Sequence, residues 1–232
     1  MTLHDAVAAT REGSMFASLS RDARAALFGA GTTRALKRGE VLFREGDDGE
    51  TVIVVLAGVL RVSVTSRTGK DIVLAYIAAG DVTGELSVFD RQPRSATASA
   101  VEAAQLLCLS RRDLKAACAH DPDIAWTFLE HLATRLRRTN ALIESGRGSM
   151  MGPRLARGLL TLLDEHGEAS GEGEEVVFKM SQSDLGAYVS VSRENVNRQL
   201  KEWEADGLIA LVRGRIRLLD RDGIEQIADF DE

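Results

Sequence analysis

The segment between residues 121 and 145 constrains the fold of this chain most, because it predicts one long helix with a narrow apolar stripe. It begins with an Asp-Pro pair, in which the carboxylate can cap free amides and the proline lacks a donor that the first turn would leave unpaired. The residues that follow at alternating spacings of four and three are Ala125, Leu129, Leu132, Leu136, Thr139 and Ile143. This spacing is typical of two helices that pack in a coiled coil. We therefore expect a long helix that pairs with a second one.

One position of this stripe, Thr139, is polar, and Asn140 follows it. A polar residue at such a position can fix the register of two paired helices. It can also contact a polar ligand that binds where the two helices meet. The segments on either side of the helix are needed to distinguish these interpretations.

Length and composition exclude several classes of protein. The chain has 232 residues, enough for one large domain or two smaller ones. No apolar run approaches the roughly 20 residues that cross a membrane, and no secretory signal is visible at the N-terminus. We therefore expect a cytoplasmic protein without a membrane partner. Cys108 and Cys118 are too few for a disulfide scaffold or a four-thiolate cluster.

The net charge of −6 alone argues against a nucleic-acid partner, but the charge is unevenly distributed. Residues after Arg147 are more often acidic than basic, yet six basic residues are bunched among them: Arg193, Arg198, Lys201, Arg213, Arg215 and Arg217. Exposed charges are screened beyond about 10 Å at ordinary salt. A local basic face on an acidic domain can therefore still bind phosphate.

The first half of the chain has the texture of a β-rich domain. Up to residue 35 the signals are helical, with Ser20 as a cap. Short runs rich in Val, Ile, Leu and Thr then alternate with glycine turns, at 41–43, 51–56, 59–64, 72–77, 95–101 and 106–109. Several short strands at regular spacing predict a sandwich or a barrel. Residues 111–120 form a short helix that leads into the long one.

The last third reads as a separate domain. A glycine-rich break ends at Pro153, where we place the boundary. It is followed by an amphipathic helix at 155–166, an acidic stretch at 168–175 expected to be an exposed mobile loop, and a strand at 176–180.

A helix-turn-helix follows, with a basic hairpin behind it. Ser181 with Asp184 is a capping-box variant that starts the first helix, the turn lies near 188–191, and the second helix runs over about 192–205. Arg213, Gly214 and Arg215 form the tip of a tight hairpin. The arrangement is a winged helix-turn-helix.

Two short motifs between the last strands carry a family resemblance. Gly84-Glu85-Leu86 is followed by Arg94-Ser95-Ala96. At this spacing, inside a glycine-punctuated β-rich domain and ahead of the long helix, they resemble the phosphate-binding cassette of the cyclic AMP receptor (CRP/FNR) family of bacterial transcription regulators. The resemblance runs from about Ser14 to Asp220. In the second helix of the helix-turn-helix, which is the DNA-recognition helix in this family, Arg193-Glu194 followed by Arg198 is similar to the cyclic AMP branch.

The chemistry of these residue types suits a cyclic nucleotide. Arg94 can pair with the phosphate charge and Ser95 can hydrogen-bond to it, and amides after Gly84 can face the same phosphate. Glu85 can accept a hydrogen bond from a ribose hydroxyl. The alternative is that Glu85 and Arg94 form a surface ion pair on a loop.

The resemblance implies that the long helix contributes to the ligand site through Arg135, Thr139 and Asn140. Family members commonly have Thr-Ser where this chain has Thr139-Asn140. Asn both donates and accepts, whereas the adenine amino group mainly donates and guanine O6 only accepts. We expect cyclic AMP as the allosteric ligand, with cyclic GMP, or both nucleotides, as the alternative.

For the DNA interface, arginine can bind guanine O6 and N7, and glutamate can accept from cytosine N4. The alternative for each residue is a solvated helix face, for instance with an i,i+4 pair between Glu194 and Arg198. The expected DNA-binding residues are Ser181, Ser192, Arg193, Glu194, Asn197, Arg198, Lys201, Arg213 and Arg215. Ser190 stands where many members have glycine, and serine can adopt the required backbone at modest strain.

The resemblance implies an α+β protein with three parts: a cyclic-nucleotide-binding β-roll or jelly-roll domain (1–120), a dimerisation helix (121–147) and a winged helix-turn-helix DNA-binding domain (148–232). It implies a homodimer on a palindromic, TGTGA-like operator, with RNA polymerase as a further partner. We expect no metal, haem or iron–sulfur cluster. The sequence shows no residue pattern typical of a catalytic site, so we expect that the protein is not an enzyme. A ligand-independent regulator, or the regulatory module of a cyclic-nucleotide-dependent enzyme, is the remaining alternative.

Overall fold

The computed structural model describes residues 14–146 (apart from the side chains of residues 138 and 141–146), 150–212 and 214–230. The chain divides into two compact units. The first takes in the chain up to Arg138 except Lys70–Val73, and the second comprises Lys70–Val73 and the chain from Thr139 onwards. Among the described residues, no helix is both long and apolar enough to span a membrane.

The first unit contains two four-stranded sheets. Its strands are Thr32–Leu36 (β1), Val41–Phe43 (β2), Thr51–Ala57 (β3), Leu60–Thr65 (β4), Asp71–Ile77 (β5), Val82–Thr83 (β6), Thr97–Ala100 (β7) and Ala104–Ser110 (β8). One sheet has the order β1-β8-β3-β6 and the other the order β2-β7-β4-β5. The predicted β-rich domain is therefore present as a two-sheet roll.

Both faces of strand β3 are buried, and successive side chains of a strand point to opposite faces. Val52 and Val54 pack with Phe28, Leu114 and other apolar residues of the neighbouring helices. The alternate residues of the same strand pack with apolar side chains of the second sheet: Ile53 and Val55 with Leu60, Val62 and Ala98. This double burial holds the centre of the roll in place.

Within the described residues, four helices accompany this roll. They are Arg21–Gly29 (α1), Glu85–Asp90 (α2), Arg111–His120 (α3) and Asp123–Gly146 (α4). Apolar residues of α1, α3 and α4 pack against the sheet that contains β3. Ser20 and Ser110 cap α1 and α3 by accepting hydrogen bonds from backbone amides. Asp121 Oδ1 accepts from the amide of Asp123 at 3.0 Å, as the Asp-Pro signal predicts.

The second unit is a winged helix-turn-helix, as predicted. It contains Met151–His166 (α5), Gly167–Ser170 (β9), Gly173–Val176 (β10), Gln182–Val189 (α6), Arg193–Ala205 (α7), Ile209–Val212 (β11), Arg215–Leu218 (β12) and Arg221–Ala228 (α8). Its sheet has the order β11-β12-β10-β9. Leu185, Val196, Leu200 and Trp203 are buried between its elements.

Three expectations for this unit were wrong. Pro153 does not end a break, because α5 already begins at Met151 and Pro153 lies in its first turn, where a missing amide costs nothing. The acidic stretch 168–175 is not a mobile loop, and 176–180 is not a strand. Instead β9 and β10 pair as a hairpin, with Glu175 opposite Glu168.

Arginines from elsewhere in the unit stabilise this acidic hairpin. Glu175 is buried, and its Oε1 accepts from Arg217 Nε at 2.6 Å and from Ser170 Oγ at 3.0 Å. Arg221 bonds to Asp164, to Glu174 at 3.1 Å and to Glu225 at 2.9 Å. Hydrogen bonding to Asp164 raises the pKa of Arg221 above its ordinary value. Cations from other elements thus offset the negative charge that made the hairpin look like a loop.

Candidate functional site

The two motifs of the sequence meet in one pocket of the first unit. Gly84 follows β6 and caps α2 with a φ of 76°, and a Cβ there would lie 2.3 Å from Arg94 Nη1. Only glycine fits this turn. The pocket is lined by Phe43, Val62, Thr83, Gly84, Glu85, Leu86, Ser87, Arg94, Ser95, Ala96 and Arg135.

Arg94 is held firmly although it lies in a loop. Its backbone amide donates to Asp47 O at 2.8 Å, and its carbonyl accepts from Gly46 N at 2.8 Å. Its guanidinium donates to Gly84 O at 2.7 Å, and to Thr51 O and Oγ1 at 2.9 and 3.2 Å. The side chain is therefore oriented by groups from β3 and from the start of α2.

The charge of Arg94 is incompletely compensated. The residue is 5% exposed, and its Nε is buried without a hydrogen-bond partner. Burial lowers the pKa of the guanidinium, while Glu85 and then Asp47 oppose the shift. A buried cation with an unpaired donor favours an anion beside it.

Glu85 is buried in the same pocket, with 0% exposure. Its Oε1 accepts from Arg135 Nη1 of α4 at 2.9 Å, whereas its Oε2 is buried without a hydrogen-bond partner. The alternative interpretation, a surface ion pair between Glu85 and Arg94, is therefore not what the structure shows. One carboxylate oxygen is available for a donor such as a ligand hydroxyl.

The remaining candidate residues divide into two groups. Leu86, Ser95 and Ala96 line the pocket with Glu85 and Arg94. Thr139 and Asn140 are exposed side chains of α4, four and five residues after Arg135.

Three residues that contact Arg94 or make room for it were not predicted. Phe43 places its ring centroid 4.3 Å from Arg94 Cζ, and Thr51 supplies hydrogen-bond acceptors. Gly49 leaves space, because a Cβ there would lie 2.7 Å from Arg94 Nε. All three precede Arg94 by more than 40 residues, and no motif marks them.

The candidate DNA-binding residues occupy one exposed face of the second unit. Ser181 and Ser192 cap α6 and α7, and Arg193, Glu194, Arg198 and Lys201 are exposed. Asn197 is half-buried and accepts from Gln182. Arg198 Nη2 donates to Asn195 Oδ1 at 3.0 Å. Glu194, Arg198 and Lys201 thus share one exposed side of α7, away from Val196 and Leu200, while Arg193 is exposed in the first turn.

The hairpin behind α7 is less uniformly basic than its sequence suggests. Arg215 is half-buried and reaches the carbonyl of Val176 at 3.5 Å. Arg217 is engaged by Glu175. Arg213 lies outside the described residues. Arg215 therefore remains as the described arginine nearest the tip.

Two family models match the chain. Residues 33–121 match the cyclic nucleotide-binding domain, and residues 153–227 match the Crp-like helix-turn-helix domain. The first match contains Glu85 and Arg94, and the second contains both helices of the helix-turn-helix.

Relatives match over most of the chain. The Cyclic AMP receptor protein of Thermus thermophilus is 31% identical over 195 residues, which cover 84% of this chain and 87% of that protein. The CRP-like cAMP-activated global transcriptional regulator of Mycobacterium tuberculosis is 28% identical over 191 residues, 82% of this chain and 85% of that protein.

Among solved structures, a CRP/FNR-family transcriptional regulator of Thermus thermophilus matches with a TM-score of 0.71 and 25% identity, covering 87% of this chain and 100% of that chain. Proteins of this family bind DNA through the helix-turn-helix and act as dimers, and they are regulators rather than enzymes. From its two domains and its relatives, this chain belongs to the CRP/FNR family of transcription regulators.

Proposed function

We propose that this protein is a homodimeric regulator whose DNA binding is controlled by cyclic AMP. The proposal rests on one observation: Glu85 and Arg94 line the same pocket, and each has a buried polar atom that lacks a hydrogen-bond partner. A buried unsatisfied polar atom costs about 1–3 kcal/mol. A cyclic nucleotide supplies both missing partners, an anionic phosphate for Arg94 and a ribose hydroxyl for Glu85.

These contacts support the roles proposed for the pocket residues, and the family resemblance supports those proposed for Thr139 and Asn140. Arg94 and Ser95 take the phosphate, and Glu85, held by Arg135, accepts from the ribose 2′-hydroxyl. Gly84, Leu86 and Ala96 shape the pocket around them. Thr139 and Asn140, from the long helix, take the base.

Regulation is proposed to act through the long helix. Residues 121–147 pair the two subunits, so a ligand that touches both favours one arrangement of the paired helices over another. Residues 1–120 bind the ligand and residues 148–232 bind DNA. The two recognition helices then fit successive major grooves of a palindromic TGTGA-like site, about one helical turn apart. RNA polymerase is the proposed further partner.

Cyclic GMP is the second candidate ligand, and it is favoured by Asn140. Its exposed carboxamide can donate a hydrogen bond to guanine O6, whereas a side chain that only accepts hydrogen bonds cannot. A vestigial pocket is less well supported, since residues that no longer bind a ligand would be expected to satisfy their own buried atoms.

Calorimetry of the full-length protein with each nucleotide tests the proposal, followed by binding to palindromic DNA with and without the nucleotide. We expect one nucleotide to bind more tightly and to raise DNA affinity. Absence of binding by both would refute the proposal, and equal binding would identify a regulator that responds to both.

A further inference from the structure

The guanidinium of Arg94 lies in a cradle with a different group on each side. The ring of Phe43 stacks on it, with 4.3 Å between Cζ and the ring centroid. Backbone carbonyls of Gly84 and Thr51 accept from its two terminal nitrogens. At Gly49 a Cβ would lie 2.7 Å from Nε and 2.6 Å from Ser87 Cβ, so only a residue without a side chain leaves room for Nε there. Each neighbour limits a different movement of the planar group.

The cradle leaves part of the guanidinium available for a ligand. Arginine has five N–H donors, and the protein engages three of them, one through Gly84 and two through Thr51. Two N–H groups remain (five minus three), among them the buried Nε–H. Because the guanidinium is planar and rigid, fixing three donors also fixes the direction of the other two.

Among the four neighbours, Phe43 is the one whose aromatic ring lies under the cation, with Arg94 Cζ 4.3 Å from the ring centroid. An aromatic face attracts a guanidinium through its quadrupole, and more strongly where water is excluded. Phe43 stands at the end of β2 opposite the small residue Ala98, and its ring lines the pocket. An aliphatic residue at this position fills space but supplies no such attraction.

We infer that Phe43 is a positioning residue for Arg94, which holds the guanidinium as a preformed anion receptor and thereby sets the affinity for the phosphate of the ligand without affecting the choice of base. The inference rests on the proposed function, because it takes the ligand to be a cyclic nucleotide. Arginine loses considerable rotamer freedom when a ligand must order it. A receptor ordered in advance avoids that cost at the moment of binding.

The test is calorimetry of the full-length protein with cyclic AMP and cyclic GMP. Phe43→Leu should weaken both nucleotides by the same factor, roughly 3- to 30-fold, and leave the ratio of their affinities unchanged. Phe43→Tyr keeps the ring and should restore binding to near the wild-type value. Leu42→Ala, in the same strand and apolar cluster but outside the pocket, should change thermal stability without changing affinity.

A double substitution separates positioning from packing. Lysine at position 94 keeps the charge but lacks a planar group to stack, so Phe43→Leu should have a much smaller effect in an Arg94→Lys background. Should Phe43→Leu fail to fold, Phe43→Met fills a similar volume without a ring and carries the same expectation.

Three results would overturn the inference. The first is wild-type affinity in Phe43→Leu while Arg94→Ala loses binding. The second is equal loss in Phe43→Leu and Phe43→Tyr, which would reduce the role of Phe43 to packing. The third is a loss of affinity on Phe43→Leu that is as large in the Arg94→Lys background as in the wild type. If Arg94→Ala itself bound nucleotide as wild type does, the proposed function would fall and this inference with it.

Discussion

At the scale of single residues, the pocket depends on a cation that burial has made costly. We expect Arg94→Ala to lower the affinity for cyclic AMP at least tenfold, because a charge-assisted hydrogen bond contributes about 1.5–3 kcal/mol. Glu85→Gln should have a smaller effect, since an amide oxygen still accepts from a hydroxyl. Isothermal calorimetry measures both changes.

The control for this prediction is Arg44→Ala, which removes an exposed arginine next to Phe43 in the sequence and should bind normally. Affinity in Arg94→Ala equal to that of the control would show that the phosphate lies elsewhere.

Sequence alone predicts some members of this pocket and not others, for a physical reason. Glu85 and Arg94 carry chemistry in their side chains and sit in a recognisable motif. Thr51 acts largely through its backbone carbonyl and Gly49 through the absence of a side chain. Phe43 resembles any apolar strand residue until Arg94 stacks on it. Such roles exist only once the chain has folded.

At the scale of elements, the turn between α6 and α7 stores backbone strain. Ser190 has a φ of 56° and a ψ of 40°, a left-handed conformation that costs a residue with a Cβ about 1–2 kcal/mol. Ser190→Gly should therefore raise the free energy of unfolding, by about 0.5–1 kcal/mol after the added chain entropy of glycine is subtracted. Urea denaturation measures this change.

The matched control is Ala187→Gly in the middle of α6, where glycine should cost about 1 kcal/mol. Equal destabilisation by the two substitutions would mean that the conformation of Ser190 is not strained.

The acidic hairpin gives the second unit a dependence on pH. Burial alone would raise the pKa of Glu175, but hydrogen bonds from Arg217 and Ser170 outweigh it and hold the pKa below its ordinary value. A carboxylate with a depressed pKa stabilises the fold above its unfolded-state pKa and loses that contribution as pH falls through the folded-state pKa.

Unfolding free energy should therefore fall as the pH drops below the ordinary range of glutamate, and Glu175→Gln should flatten that dependence. Glu172→Gln, in the turn between β9 and β10, serves as the comparison. A pH profile unchanged by Glu175→Gln would argue against a linked carboxylate at this position.

The prediction of secondary structure is wrong where contacts with residues distant in sequence decide whether a strand forms. All six predicted strands of the first unit form, and β3, with the longest buried run, packs against apolar side chains on both faces. β1 reads TTRAL, has four exposed residues in five and offers no alternation, yet it pairs with β8 from Thr32–Cys108 to Leu36–Ala104. Likewise β10 is a strand because Arg217, 42 residues later, offsets its charge.

At the scale of the whole molecule, α4 leaves apolar side chains uncovered. Trp126, Leu129 and Leu136 are 63%, 53% and 62% exposed in the single chain. If this face pairs the subunits, Leu136→Glu should shift the protein toward a monomer, because charges would be buried against each other. Sedimentation at several protein concentrations measures the shift. Arg137→Glu, exposed outside the predicted stripe, is the control, and a dimer that survives Leu136→Glu unchanged would place the interface elsewhere.

We expect the second unit to divide its DNA contacts between α7 and the hairpin. With nucleotide present, a base-by-base scan should show that Arg198→Ala relaxes preference at one base pair of each half-site, at a cost of about 1–3 kcal/mol. Arg215→Ala should weaken all sequences alike and reduce the salt dependence of binding, as expected for a phosphate contact. The reverse pattern would mean that the hairpin reads sequence and α7 only docks.

The ion pair between Arg217 and Glu175 has a consequence for how the protein searches a genome. Arginines that neutralise the protein's own acidic hairpin are unavailable to neutralise phosphates, and attraction to random DNA grows with the number of phosphates neutralised. We therefore expect the DNA-binding unit to bind DNA that lacks its site less tightly than it would if these arginines were free. Base contacts from α7 then account for more of the preference for an operator, and fewer molecules are held on the bulk of the chromosome.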